Sequence, residues 1–332
     1  MAVITVSNLR KRFNLEAGFF ARFGRFVNAV RDVSFSIDRN ESYGLVGESG
    51  CGKTTTARLI VRMYECDGGS IFFRDTVDVS ALKKKELKKY REKVKYVFQD
   101  PARSLNPRMS IYEVLVSGYR WSPGAAEGEG KRARPHTRAW EKRAREEAGA
   151  ILQEVGLSRE DLEKRPAEFS GGQRQRISIA RGLLMKPDLL VCDEVVSALD
   201  VSIQGQILNL LLDIRERRDL SFLFIAHDLR VACHFCDRIG VMYRGELMEE
   251  APAADLWKTG SHPYTRLLFS SAPGMSAGGG EKGAGAREGE TGGDEERCAF
   301  AGRCPIASKE CLGSRPPMRE MGGGHKIRCF NV

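Results

Sequence analysis

Ser42-Tyr43-Gly44-Leu45-Val46-Gly47-Glu48-Ser49-Gly50-Cys51-Gly52-Lys53-Thr54 is the stretch that decides the fold. An apolar run that ends in glycines and opens a helix predicts a strand, a tight loop and a helix in succession. Gly47 to Thr54 matches the pattern GxxxxGK[ST], whose glycines let successive backbone N–H groups turn inward around phosphate oxygens. The helix N-terminus adds its positive dipole, Lys53 reaches the terminal phosphates, and the Thr54 hydroxyl can ligate Mg²⁺. Gly47, Ser49, Gly50, Cys51, Gly52, Lys53, Thr54 and Thr55 are therefore the candidate phosphate-site residues.

Working outward, the N-terminal side alternates as strands do: ITV, an aromatic-rich loop, then VRDVSFSI. On the C-terminal side, DLLVCDE and SFLFIAHD are short apolar runs ending in charged residues, as buried parallel strands do when their C-terminal ends carry chemistry. Between them QGQILNLLLDIRERR places Ile207, Leu211 and Ile214 on one helical face, so this stretch predicts a strand-helix-strand unit. Asp193 and Glu194 end the first of these strands. Such a pair suits a Mg²⁺-positioning aspartate followed by a water-activating glutamate, a reading that the phosphate loop in the same chain favours over a solvated loop start.

The chain has 332 residues, 42% of them apolar, enough for one large domain with appendages. No apolar run approaches the roughly 20 residues of a membrane-spanning helix, and the N-terminus does not read as a secretion signal. A cytoplasmic protein is expected unless a partner holds it at a membrane. The formal charge of +9 is compatible with nucleic acid, anionic lipid or phosphate-bearing ligands. Much of the excess lies in Lys83 to Lys95 and Lys131 to Arg145, which read as solvated helix faces, without the interleaved aromatics of a single-strand platform. Residues 122–130 read as an insertion and 274–296 as a linker of Gly, Glu, Ala and Ser.

Phe169-Ser170-Gly171-Gly172-Gln173 resembles the LSGGQ signature of ABC ATPases, with phenylalanine in place of leucine. Further matches follow in that family's order: Gln99 in VFQDP resembles the Q-loop, Ser197-Ala198-Leu199-Asp200 the D-loop, and His227 in IAHD the switch histidine. The resemblance covers residues 1–273 and implies an α/β fold: a RecA-like core, a helical signature subdomain and an antiparallel β part. It further implies a head-to-tail pair of such domains, with ATP and Mg²⁺ held between one phosphate loop and the partner's Ser170, Gly171, Gly172 and Gln173. Glu194 would be the general base, His227 would hold the γ-phosphate and water, Gln99 would join Thr54 and Asp193 at Mg²⁺, and Asp200 would communicate across the interface. Phe13 would stack on adenine, where the family often has tyrosine. Val195 departs from the proline usual after the glutamate.

FQDPARSLNPRMS, CDEVVSALDVSIQGQILNLL and HPYTRLLFSSAP resemble the ATP-binding subunits of dipeptide and oligopeptide importers, within the peptide and nickel branch. That resemblance implies two membrane permeases contacted around residues 99–108, a second ATPase subunit (a paralogue or an identical chain), an external solute-binding protein acting indirectly, and no nucleic acid. A nickel or other small-solute importer is the alternative, and a soluble ABC factor of nucleic acid or ribosomes is a different class. The expected organisation is a nucleotide-binding domain over 1–260, an importer-type extension over 261–273, the linker over 274–296 and a Cys-rich tail over 297–332.

Nine cysteines without a secretion signal argue against a disulfide framework. Cys51, Cys66, Cys192, Cys233 and Cys236 read mostly as small core or turn residues. Cys298, Cys304, Cys311 and Cys329 have the spacing C-x5-C-x6-C-x17-C, which lacks the short knuckles of structural zinc sites. Four thiolates could hold a [4Fe–4S] cluster, and the tail resembles the Cys-rich end of peptide-importer ATPases where such clusters occur. Zinc and unliganded thiols are the alternatives.

Overall fold

A computed structural model describes residues 1–14, 26–119, 137–270 and 296–332; the expected insertion at 122–130 and all but the last residue of the 274–296 linker lie outside them. Two sheets organise the chain. The smaller is antiparallel, built from β1 (Ala2–Asn14), β2 (Phe26–Asp38), β4 (Gly68–Phe73) and β5 (Val77–Asp78) in the order β2-β1-β4-β5. The two strands expected at the N-terminus are both present and run longer than their apolar segments.

The larger sheet has eight strands in the order β11-β12-β10-β9-β3-β8-β7-β6. Its centre is parallel: β9 (Arg238–Tyr243), β3 (Ser42–Val46), β8 (Ser221–Ala226), β7 (Leu189–Asp193) and β6 (Val94–Val97). Every residue of β3, β7 and β8 is buried, because both faces of a parallel sheet are covered and its strands read as near-continuous apolar runs. On one edge β10 (Glu246–Pro252) pairs antiparallel with β9, and the hairpin of β11 (Arg319–Gly322) and β12 (His325–Ile327) adds to it through Glu249 opposite Ile327 and Glu250 opposite Lys326.

One core lies between the two sheets, where Ile4, Leu9, Ile37, Tyr43 and Leu45 pack around α1 (Lys53–Ile60). α2 (Lys84–Lys93) lies at the rim with its lysines exposed, as a solvated charge run should. The second core covers the other sheet face. After the short α3 (Pro101–Ser104), it is built from Leu105, α4 (Ile111–Tyr119), α5 (Arg138–Glu154), α6 (Gly171–Leu183), α7 (Val201–Arg218) and α8 (Leu229–Phe235). In α7 the expected stripe of Ile207, Leu211 and Ile214 is fully buried, joined by Leu208 and Leu210. The chain closes with α9 (Ala253–Thr259), α10 (Pro263–Ser270) and α11 (Lys309–Gly313). Phe300, Ala301, Cys298 and Cys311 join this second core, so the segment set apart in sequence is continuous with the main body in space.

Candidate functional site

The phosphate loop hangs between β3 and α1. Its tight path needs glycine where backbone approaches backbone: a Cβ at Gly47 would sit 2.1 Å from the Met242 carbonyl oxygen and one at Gly52 2.2 Å from that of Ala29. Lys53 is buried, and its ammonium donates to the carbonyl oxygens of Gly47 at 2.8 Å and Glu48 at 3.0 Å. A buried cation requires such partners, and these hold the charge inside the loop it serves. Ser49 and Gly50 are exposed at the loop's crown, Cys51 is buried beneath it with its thiol pushed up by burial, and Thr55 is half-buried on the first turn of α1.

Thr54 and Asp193, 139 positions apart, meet directly: the Thr54 hydroxyl donates to Asp193 Oδ1 at 3.0 Å. Asp193 is buried at the end of β7, and its second oxygen accepts from the Tyr96 hydroxyl. Burial and the Asp193 charge drive the Tyr96 phenol well above its ordinary value, so it stays a donor. Tyr96 was not legible in sequence, because an apolar strand carrying a tyrosine has no pattern that says which way the hydroxyl points. Among the described residues no group of three or more His, Cys, Asp or Glu side chains lies close enough to hold a metal. Mg²⁺ does not require one, since it takes one or two protein oxygens and completes its shell from phosphates and water. The hard oxygens of Thr54 and Asp193 fit that demand.

Glu194 follows at the mouth of the sheet with φ 50°, a left-handed conformation unusual outside glycine. It is held there by its N–H to the Ile225 carbonyl at 3.1 Å and by the Ser197 hydroxyl donating to its own carbonyl at 2.9 Å. Gln99 reaches the same place, its Nε2 donating to Glu194 Oε2 at 2.7 Å. The structure thus brings Gln99 to the carboxylate beside Asp193. A cleft of about 60 Å³ is lined by Glu194, Ser197, Gln204, His227 and Asp228, with His227 exposed at the end of β8. Val196, Ile225, Ala226 and Val231 complete its walls, and its volume is large enough for a water between the carboxylate and the imidazole.

Ser170 caps α6: its hydroxyl accepts from Gln173 N at 3.3 Å while Gln173 Oε1 accepts from Ser170 N at 2.9 Å. Gly171 and Gly172 open this helix against α7. A Cβ on Gly172 would lie 2.7 Å from Ile203 Cγ2, so the glycine allows the two helix starts to touch. Phe169 is buried, and fills the core role of the leucine it replaces. Asp200 is the exposed N-cap residue of α7, and Val195 is buried in the core. Phe13 is half-buried near the end of β1, edge-to-face with Tyr64 at 5.4 Å and with the Lys11 ammonium 5.4 Å from its ring centre.

All nine cysteines are free thiols. Cys192 and Cys236 are buried and their thiols are driven up by burial, while Cys233 is pushed up to about 12 by the same cause. The four tail cysteines lie within electrostatic reach of one another, yet no three of them are close enough to hold a metal ion. Cys298 N donates to the Cys311 carbonyl at 3.1 Å, and the Cys298 thiol, raised first by burial, is raised further by Cys311, Cys304 and Cys329. Cys304 feels Cys329 and Cys311 in the same way.

The ABC transporter family matches residues 30–197, and the C-terminal region of oligopeptide/dipeptide transporters matches residues 248–311. A probable peptide ABC transporter ATP-binding protein of Sinorhizobium fredii is 39% identical over 99% of this chain and 89% of its own length. The oligopeptide transport ATP-binding protein AppF of Bacillus subtilis is 38% identical over 98% of this chain and 96% of its own. A putative peptide import ATP-binding protein of Brucella ovis is 42% identical over 92% of each. Among solved structures, a dimeric ATP-binding cassette in a post-hydrolysis state with ADP and Pi superposes with a TM-score of 0.61 at 25% identity, covering 75% of this chain and 98% of that one. An ADP-bound cassette of an ABC transporter gives 0.63 at 23% identity, covering 82% of this chain and 100% of that one.

Proposed function

The chain belongs to the ABC transporter family and carries the C-terminal region of its oligopeptide/dipeptide branch, and from that premise we propose that it is the ATP-hydrolysing subunit that energises a peptide importer. The observation that carries this reading is likeness along nearly the whole chain, C-terminal region included, to proteins named for peptide import. Among the described residues no helix is long and apolar enough to cross a membrane. The subunit then works at the cytoplasmic face of the membrane through two permeases, which also face the external solute-binding protein. The largely exposed segment from Gln99 through α3 to Arg108, with Leu105 buried beneath it, is the permease contact in this reading.

At the site, the amides and Lys53 of the loop bind the triphosphate, and Thr54 and Asp193 hold Mg²⁺, with Gln99 able to turn from Glu194 toward it. Mg²⁺ held there would supply charge neutralisation on the phosphate oxygens. Glu194 takes the proton from water in the cleft it shares with His227, which holds the γ-phosphate. Phe13 stacks on adenine. Ser170, Gly171, Gly172 and Gln173 present an exposed helix start to the nucleotide of a second subunit, and Asp200 faces that interface.

In this reading the spacing C-x5-C-x6-C-x17-C of Cys298, Cys304, Cys311 and Cys329, which lacks the short knuckles of zinc sites, favours a [4Fe–4S] cluster over zinc. The cluster's chemistry there would be structural, tying α11 and the last strand to the core.

Anaerobic purification from host membranes tests both parts. Co-purifying permeases, with about four irons per chain, are the expected result. Ribosomes or DNA factors without permeases overturn the transport reading, and zinc without iron and sulfide overturns the cluster.

A further inference from the structure

Glu48 is the second residue of the phosphate loop, and two residues of the C-terminal region converge on it. The Tyr264 hydroxyl, 216 positions away, accepts the Glu48 backbone N–H at 2.9 Å. Arg303, 255 positions away, grips the Glu48 carboxylate with both arms of its guanidinium, at 2.8 and 2.9 Å. A two-point fork of this kind fixes orientation as well as charge.

Neither residue is placed by chance. Tyr264 is fully buried, its ring 4.6 Å from Tyr243 and 5.3 Å from Phe300, and the Arg303 guanidinium lies over both of those rings. His262, two residues before Tyr264, is buried; its Nδ1 accepts from Tyr264 N at 3.0 Å and the ring also bonds the backbone of Arg328. The backbone N–H groups of Ser261 and His262 donate to Glu249, which also takes His325 Nε2 at 2.7 Å. Hydrogen bonds and ring contacts link β12 and β10 through Glu249 and His262 to Tyr264, and Arg303 joins them through Tyr243 and Phe300, its own ion pair with Glu48 lying at the surface.

The loop has a reason to need this. A carboxylate within a loop that must receive a highly charged triphosphate repels it unless neutralised, and a loop free to rearrange loses conformational entropy on binding. Arg303 cancels the charge, and Tyr264 fixes the first peptide of the loop with its N–H turned away from the cradle. We propose that Tyr264 and Arg303 are positioning residues for nucleotide binding, and that the C-terminal region braces the phosphate loop through Glu48. This inference rests on the assignment of residues 47–54 as the nucleotide site.

The test is the dissociation constant of the fluorescent analogue mant-ATP, with Mg²⁺, on the full chain, together with kcat at saturating ATP. Arg303→Ala is expected to weaken binding about fivefold, with kcat changed less than twofold. Tyr264→Phe, which removes one oxygen and keeps the ring, is expected to weaken binding by a smaller factor and remains informative if Arg303→Ala folds poorly. In a Glu48→Ala background, Arg303→Ala should have no further effect, because the arginine acts through that carboxylate. Unchanged affinity in both single variants, or the same loss with Glu48 absent, overturns the brace. Wild-type protein that binds no mant-ATP would overturn the nucleotide assignment itself.

Discussion

In the proposed mechanism Glu194 concentrates the chemistry at a single residue. Its left-handed backbone costs on the order of 1 kcal/mol and is retained where β7 ends, aiming the carboxylate into the cleft shared with His227. Glu194→Gln removes the base while keeping the shape and the Gln99 contact. It is expected to retain ATP and to lower turnover by about 10²- to 10⁴-fold, read as phosphate release at saturating ATP; unchanged turnover would remove Glu194 from that role. The two acids were legible in sequence because an apolar strand delivering consecutive carboxylates is a local pattern. Tyr96, which holds the Asp193 oxygen that Thr54 does not, was not legible. Its partner lies 97 positions away, and only the pairing of β6 with β7 brings them together.

Elements with a strong period were readable, and those without one were not. β3, β7, β8 and α7 follow their apolar runs closely, because burial on both faces of a sheet or on one stripe of a helix leaves a repeating mark. β11 and β12 are short, flank a glycine run and carry charged residues, so nothing in their sequence announces that they extend the main sheet. The turn into α10 shows how such a junction is held. His262 is buried against that hairpin, and burial lowers its pKa to about 4, against the pull of Glu249. An unfolded histidine titrates near 6.5, so between about 6.5 and about 4 the unfolded chain binds a proton that the folded chain refuses. Stability should therefore fall as pH drops through that window, by on the order of 3 kcal/mol. Urea denaturation at a series of pH values checks this against His262→Asn, which retains an acceptor for Tyr264 N. The variant should show a flatter profile over the same window, and an identical slope would discount His262.

At the scale of the molecule, the proposed head-to-tail pairing leaves the site of one chain half complete. The loop, the Thr54 and Asp193 oxygens and Glu194 lie on one side, while the Ser170 helix start opens α6 with its amide end exposed. Binding energy for a second subunit then comes with the nucleotide. The Glu194→Gln chain, alone or with its paralogous partner, should shift to a dimer with ATP and back to monomer with ADP in size-exclusion chromatography. A mass that ignores nucleotide would count against the head-to-tail pair. By itself the sequence determined the phosphate loop, the acids at the strand ends and the parallel core, since each follows from backbone geometry or apolar period over a dozen residues. Only the tertiary structure decided that the C-terminal region grips the loop at Glu48 and that the Tyr96 hydroxyl meets Asp193. Those contacts join residues without periodicity across large separations in the chain, and burial around Tyr243, Tyr264 and Phe300 is what selects those at Glu48.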